Sequence, residues 1–406
     1  MFGWLKKSTT YTVSQLGAMA GWIGWGTYSG ETVNERTALD VTAVFCGARV
    51  IAEGIGQMPV RVMSVSQDEA SGLSVWQQQP DHWAHRLLAV RPNAWQTSYE
   101  FREGMIFNAV LGEGAIAIKN VVNGEVRELL PVPVGSWSVE QRADWTLNIR
   151  VDHSDKSHEF FELDQVFYLR GPSLDGFKAI PAVRQAREAI GLSRALEKQQ
   201  SKLAGNGGKP SGILSFAQKL APETAQKLRE TWQDRYGPNG DGGIAVLDGD
   251  AKFSSMTMTS VDAQHIETRR LQIEEIARAL RVQPIMLMQA DKAATYASAE
   301  QMFRMHVIHT LGPWIERFEQ AANRDILGNV TGLTIDLDER NLLRGDFKDQ
   351  ADYYTKALGA GGQSAWMTVN EIRAEMGLNP VSDGWANTVS RGAMHPQEAT
   401  NGIQAP

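Results

Sequence analysis

The chain has 406 residues, 42% of them hydrophobic and 21% charged, with a formal net charge of −7. At roughly 100–200 residues per domain this length holds about two or three compact units, the composition excludes a disordered chain, and the acidic balance argues against a generic nucleic-acid clamp. The single cysteine, Cys46, excludes an intramolecular disulfide and a cysteine zinc site and points to a reducing compartment.

Residues 1–30 read as a flexible arm. Its apolar run "LGAMAGWIGWG" spans only about eleven residues, against roughly 20 for a bilayer crossing, and Trp22 and Trp25 are expected to dock on a neighbour. Val41, Val44, Phe45, Ala48, Ile51, Ala52 and Ile55 recur at helical spacing, which predicts an amphipathic helix over Asp40–Ile55. "PVRVMSV" reads as a strand and "TSYEFREGMIFNAV" as a second helix. Strand "AIAIKN" follows, then a hairpin turn at Asn123-Gly124, where positive φ is tolerated. Short strands continue through "ELLPVPVGSWSVE", "WTLNIRV" and "QVFYLR", so residues 31–176 form one mixed α+β domain.

The pattern then changes. Pro181 begins a long helix to about residue 205, with Val183, Ala186, Ile190, Leu196 and Leu203 on one face. "GNGGKPSG" breaks it, and 206–261 read as a small α/β insert. A second long helix, Asp262–Arg281, carries Ile266, Ile273, Ala277 and Leu280 on its apolar edge. Glu267, Arg270, Glu274, Arg278 and Arg281 form a stripe of largely alternating sign, in which a pair such as Glu274–Arg278 adds only about 0.2–0.5 kcal/mol. Pro284 stops this helix. Ser298-x-x-Gln301 has the form of a capping box that restarts one, carrying Val307, Leu311, Trp314 and Phe318 on a stripe to about Leu327. Gly312-Pro313 in its middle predicts a kink. Strand "LTIDLD", a helix from about Phe347 and "TVNEIRAEMGLNP" complete the chain before a tail over 391–406 read as disordered.

Few motifs suggest catalysis. "GNGGK" fails as a phosphate loop because Leu203 and Pro210 stand where Gly and Ser/Thr are needed. Gly112-x-Gly114-x-x-Ala117 leaves a helix and enters a strand, the reverse of a dinucleotide site. His306 with His309, and His82 with His85, lack the HExxH form and read as solvated or interface histidines. Asp336-x-Asp338 leaves one enzymatic alternative open: an oligomeric metal-dependent enzyme acting on DNA or nucleotides, with these acids as ligands. No other metal or cofactor site is expected.

Read in order, "RPNAWQTSYEFREGM", "FYLRGPSLDGFKAIPAVRQAREAIGL", "NGGKPSGIL", "DAQHIETRRLQIEEIARALRVQPIML", "LLRGDFKDQADYY" and "MTVNEIRAEMGLNP" resemble the portal (head–tail connector) proteins of long-tailed bacteriophages and prophages, across about residues 35–380. The resemblance implies a non-enzymatic ring, usually of twelve subunits, at one capsid vertex of the virion, assembled in the host cytoplasm. It implies a wing over 31–176, completed by a strand within 330–345, and stem helices 177–205 and 262–283 flanking a clip at 206–261. A tunnel loop (284–297), a tunnel helix (298–329) kinked at Gly312 and Pro313, and a short crown (346–390) follow.

Implied partners are double-stranded DNA in the channel, the terminase large subunit, a head-completion or adaptor protein, and the major capsid or a scaffold protein, with no membrane. The loop residues Gln289, Asp291, Lys292, Thr295, Tyr296 and Ser298 would face DNA. The stripe Glu267, Arg270, Glu274, Arg278 and Arg281 would pair between subunits. A wall with few cations lets a duplex slide, because each phosphate neutralised adds strongly salt-dependent affinity. Lys292→Ala is therefore expected to alter packaging, DNA retention or infectivity; a variant unchanged in all three would deny Lys292 a functional contact.

Overall fold

The structure, a computed structural model, describes residues 24–67, 74–153, 155–205, 213–215, 223, 226–227, 252–254, 261–289, 296–328, 330–339, 342, 347–360, 364–376 and 378–389. The chain divides into two compact units after Asp338.

In the first unit, strands β1 (Trp25–Gly26) and β2 (Thr32–Val33) form a two-stranded ribbon. Helix α1 (Thr42–Gly56) follows, then strands β3 (Val60–Gln67) and β4 (Ser74–Gln78), and helix α2 (Ser98–Leu111). Thr97 caps α2: its side chain accepts from the Glu100 N–H while Glu100 accepts from the Thr97 N–H, so two of the free donors of the first turn are satisfied. α1 packs on α2 through Val44, Ala48, Ile51 and Ile55, all buried. Phe45 breaks the expected stripe: it is 44% exposed, and its ring meets only the edge of Phe107 at 6.2 Å.

Strands β5 (Ala115–Val122) and β6 (Glu125–Pro131) form the expected hairpin, with Asn123 and Gly124 at φ 55° and 80°. β7 (Trp137–Gln141), β8 (Leu147–Asp152) and β9 (His158–Glu162) make a meander, and β10 (Val166–Leu169) returns to β5. Ile116, Val139, Ile149, Val166 and Tyr168 form a shared core between these two sheets.

One of the buried charges lies between the first two helices. Arg102 of α2 donates to the carbonyls of Gly56 (2.6 Å), Met58 (3.1 Å) and Leu88 (3.0 Å), capping the C-terminal end of α1. Burial draws its pKa down to about 10.

Helix α3 (Arg187–Gly205), preceded by a turn at Ala182–Gln185, packs on α4 (Val261–Leu280). Between them only the pairing of β11 (Ile213–Ser215) with β12 (Lys252–Ser254) is described; most of 206–261 lies outside the described residues. On α4 the buried side chains are Gln272, Ile276, Ala277 and Leu280, while Ile266, expected on the apolar edge, is 58% exposed. The apolar edge therefore occupies only the last two turns, where α4 meets α1.

The next helical run begins at Tyr296, two residues before the expected cap at Ser298, so Ser298 lies inside the helix and is not its N-cap. It comprises α5 (Tyr296–Met305), a π-helical segment His306–Leu311, and α6 (Gly312–Asp325).

Strand β13 (Leu333–Leu337) pairs antiparallel with β3, giving the sheet order β13-β3-β4 and leaving β13 at an edge. α6 covers that edge. The Ile335 N–H donates to Asn323 Oδ1 at 2.7 Å and the Leu337 N–H to Glu319 Oε1 at 2.7 Å. Four helical residues rise about 6 Å and two strand residues about 7 Å, so one helix face matches two successive outward N–H groups of the strand, while the Leu333 N–H turns to the Val330 carbonyl.

In the second unit α7 (Phe347–Ala357) and α8 (Val369–Glu375) form a small helical pair around Ala357, Ala365, Ile372 and Ala386. Thr368 and Glu371 form a capping box on α8.

Asn323→Ala leaves the Ile335 N–H without its acceptor, which is expected to cost about 1–3 kcal/mol. The melting midpoint should fall and the Ile335 amide should exchange hydrogen faster, while Asn323→Asp, which keeps the acceptor, should lose less.

Candidate functional site: the loop and the helix that carries it

The segment joining α4 to α5 is held on its α4 side by close packing. Arg281 ends α4 in the left-handed region at φ 57°, Val282 is buried, and Pro284–Leu287 form a 3-10 turn closed by Met288 at φ 59°. Gly47 of α1 receives this turn. A Cβ there would stand 2.5 Å from Leu280 Cδ1 and 3.1 Å from Leu287 Cδ2. The Cys46 thiol donates to the Met286 carbonyl at 3.5 Å. Met288 then projects 87% exposed.

Of the expected DNA-facing residues, Gln289 is partly buried, with its Oε1 buried and unpartnered. Asp291, Lys292 and Thr295 lie outside the described residues. Tyr296 and Ser298 sit in the first turn of α5.

The helical run is pinned in its middle. Thr310 Oγ1 donates to the Arg281 carbonyl at 2.7 Å, tying the π-helical segment to the end of α4. Leu311 packs into α1 at Gly54, where a Cβ would meet its methyl groups at 2.9 Å. The π-helical segment is also the structural answer to Gly312-Pro313. Pro313 cannot donate and its ring crowds the carbonyl four residues earlier; the ladder widens instead, the Gly312 N–H reaching the Val307 carbonyl, and α6 restarts with the proline in its first turn.

His306 opens this segment. It is 6% exposed with Nδ1 unpartnered, so of the two expected settings, solvated or interface, the solvated one does not hold, and burial holds its pKa below the ordinary 6.5. His82 Nδ1 accepts from the Ala84 N–H at 3.2 Å and caps a short helical turn.

At the far end of the run α6 grips a second sheet edge. Asp325 accepts the Tyr168 N–H at 2.9 Å, and Arg324 donates to the Tyr168 carbonyl at 3.0 Å. β10 is an edge strand, so these two bonds take up its outward groups. The neighbouring pair Arg324–Asp325 closes at 2.6 Å, and Lys119 Nζ donates to the Asp325 carbonyl at 2.5 Å. Phe318, fully buried, meets Phe167 edge-on at 5.7 Å.

The charged stripe of α4 is on the surface: Glu267, Arg270, Glu274, Arg278 and Arg281 are all exposed. Arg278 makes its ion pair with Glu275, one turn back, and not with Glu274 as the spacing suggested. Asp338 is not a surface acid but 5% exposed and ion-paired with Arg61. Asp336 stands opposite Arg61 in the strand register, so one arginine faces both acids of the Asp336-x-Asp338 motif. Among the described residues no group of three or more acids, histidines or cysteines converges on a metal position, and no helix is long and apolar enough to cross a membrane.

The phage portal protein family model matches residues 42–377, most of the first unit and much of the second. The chain belongs to the phage portal protein family. It is 27% identical over 386 residues to a probable portal protein of Streptomyces phage phiC31, covering 92% of this chain and 80% of that one. It is 25% identical over 387 residues to the portal protein of Enterobacteria phage HK97, covering 94% and 89%. Among solved structures, the neck of a native gene transfer agent particle computed with C12 symmetry shares the fold at TM-score 0.59 and 21% identity, over 90% of this chain and 99% of that one.

Within this portal-family fold His306 gives a pH dependence whose sign is set by its burial. The unfolded histidine takes up a proton near 6.5 and the folded one only at lower pH. Between the two the unfolded chain binds more protons, so stability rises with pH there and is lost on acidification below about 6.5. The melting midpoint is expected to drop more steeply between pH 7 and pH 5 in the wild type than in His306→Gln, compared at equal protein concentration.

Proposed function

We propose that the chain is a portal subunit: copies close into a ring-shaped channel at one capsid vertex, through which DNA is packaged and later ejected. The match to the portal family over residues 42–377 carries this reading. A likeness to a neck solved with twelvefold symmetry supports a ring of about that number. Heterologous contacts repeated by rotation close such rings.

The domain roles follow. The sheets and α1–α2 are the wing, with β13 completing it. α3 and α4 are the stem, carrying the clip at their far ends as the docking platform for the terminase large subunit and the head-completion or adaptor protein. Residues 284–297 are the tunnel loop, the run from α5 to α6 is the tunnel helix, and α7–α8 the crown. The exposed stripe of α4 meets the neighbouring subunit. The protein is a conduit and not an enzyme; ATP hydrolysis belongs to the partner terminase. Its place is the portal vertex of the virion after assembly in the host cytoplasm, against the major capsid or scaffold protein.

Purified protein viewed by negative-stain microscopy is expected to show rings with a central hole and to lack metal-dependent nuclease or ATPase activity. Compact dimers with such activity would overturn the reading in favour of a metal-dependent enzyme.

A further inference from the structure

One cavity of the first unit is lined by two arginines that have no acidic partner among the described residues. It has a volume of about 540 Å³, and its lining includes Arg170 after β10 and Arg317 and Arg324 on α6, with no carboxylate. Arg324 is committed to Asp325. Arg170 reaches only the Gly176 carbonyl and lies 6.0 Å from the Tyr168 ring. Arg317 makes a long contact to the Pro313 carbonyl at 3.5 Å and lies 5.3 Å over Trp314. Neither Arg170 nor Arg317 has an acidic partner among the described residues.

Arg317 is partly buried beside a second cation. Burial, and then the nearby Arg281, both weaken its hold on its proton. The face of Trp314 attracts the guanidinium but does not neutralise its charge. Arg170 and Arg317 are both half-buried without an acid, which leaves the cavity open to an acidic group from outside the subunit.

We propose that the cavity receives a carboxylate side chain from a second copy of this chain, held by Arg317 and Arg170 at the contact between neighbouring subunits. The proposal rests on the ring reading above. One observation favours an acidic neighbour over a DNA phosphate. A subunit with 47 acidic against 40 basic residues offers its copies more carboxylates than cations, so a cationic cavity without an acid of its own complements the surface of a second copy. A planar guanidinium suits the task, since it binds a carboxylate through two parallel N–H bonds.

Arg317→Lys keeps the charge and supplies an amine that a carbodiimide joins to a carboxylate in contact with it. In rings assembled from equal amounts of ¹⁴N- and ¹⁵N-labelled Arg317→Lys subunits, mixed-isotope peptides linking position 317 to an Asp or Glu are expected. Arg317→Glu should weaken self-association about tenfold or more, as loss of a desolvated charge pair does. If the wild type forms rings, yet Arg317→Lys gives no inter-chain link at that position and Arg317→Glu assembles like the wild type, this inference fails and the ring stands. If Arg317→Glu rings remain intact but lose affinity for a short DNA duplex, the occupant is phosphate and the inference also fails. A wild type that forms no rings removes both.

Discussion

The structure depends on one helix satisfying the open edges of two sheets. Glu319 and Asn323 of α6 accept the outward N–H groups of β13, and Arg324 with Asp325 takes both polar groups of Tyr168 on β10. An uncovered strand edge is a row of unpaired donors and acceptors. Here a helix, and not another strand, closes both rows. Each such bond contributes only about 0.5–1.5 kcal/mol net, but leaving any of them unmade inside the fold costs more. The register between α6 and β13 is therefore narrowly set, and Phe318 against Phe167 holds it from the apolar side.

That grip has consequences along the chain. With α6 fixed, the π-helical segment absorbs Pro313 without breaking the helical run. Thr310 and Leu311 then tie the middle of that run to Arg281 and Gly54, so it is held to the end of α4 and to α1.

Much of this was legible in the sequence where the signal is local. The Asn123-Gly124 turn and the periodicity of α1 each report a nearest-neighbour constraint, and each element lies where its residues put it. The order of motifs from residue 91 to 380 likewise pointed to the portal family. What failed was of two kinds: local spacings that admit a second reading, and strands whose only clear signal is a partner. Ser298 looked like a cap because its spacing to Gln301 is right, yet the helix starts at Tyr296. Glu274 looked like the partner of Arg278, but a side chain three residues back, Glu275, is the one in reach. The strands β4 and β9 went unnoticed because "SVWQQ" and "HEFFE" alternate poorly, and their pairing comes from β3 and β8.

The buried charges mark the boundary most clearly. Periodicity and composition by themselves determined the elements, their order, the interruption at Gly312-Pro313 and the acidic character of the chain, because these follow from bonds and side chains close in sequence. Only tertiary structure decided that Arg102 would sit inside on three carbonyls, that Asp338 would be taken by Arg61, that His306 would lose its solvent, and that Arg317 would be left in a cavity without an acid. Each depends on which groups share a space across tens or hundreds of residues. The cost of desolvating a charge is set by that space and not by the residue's neighbours in the chain.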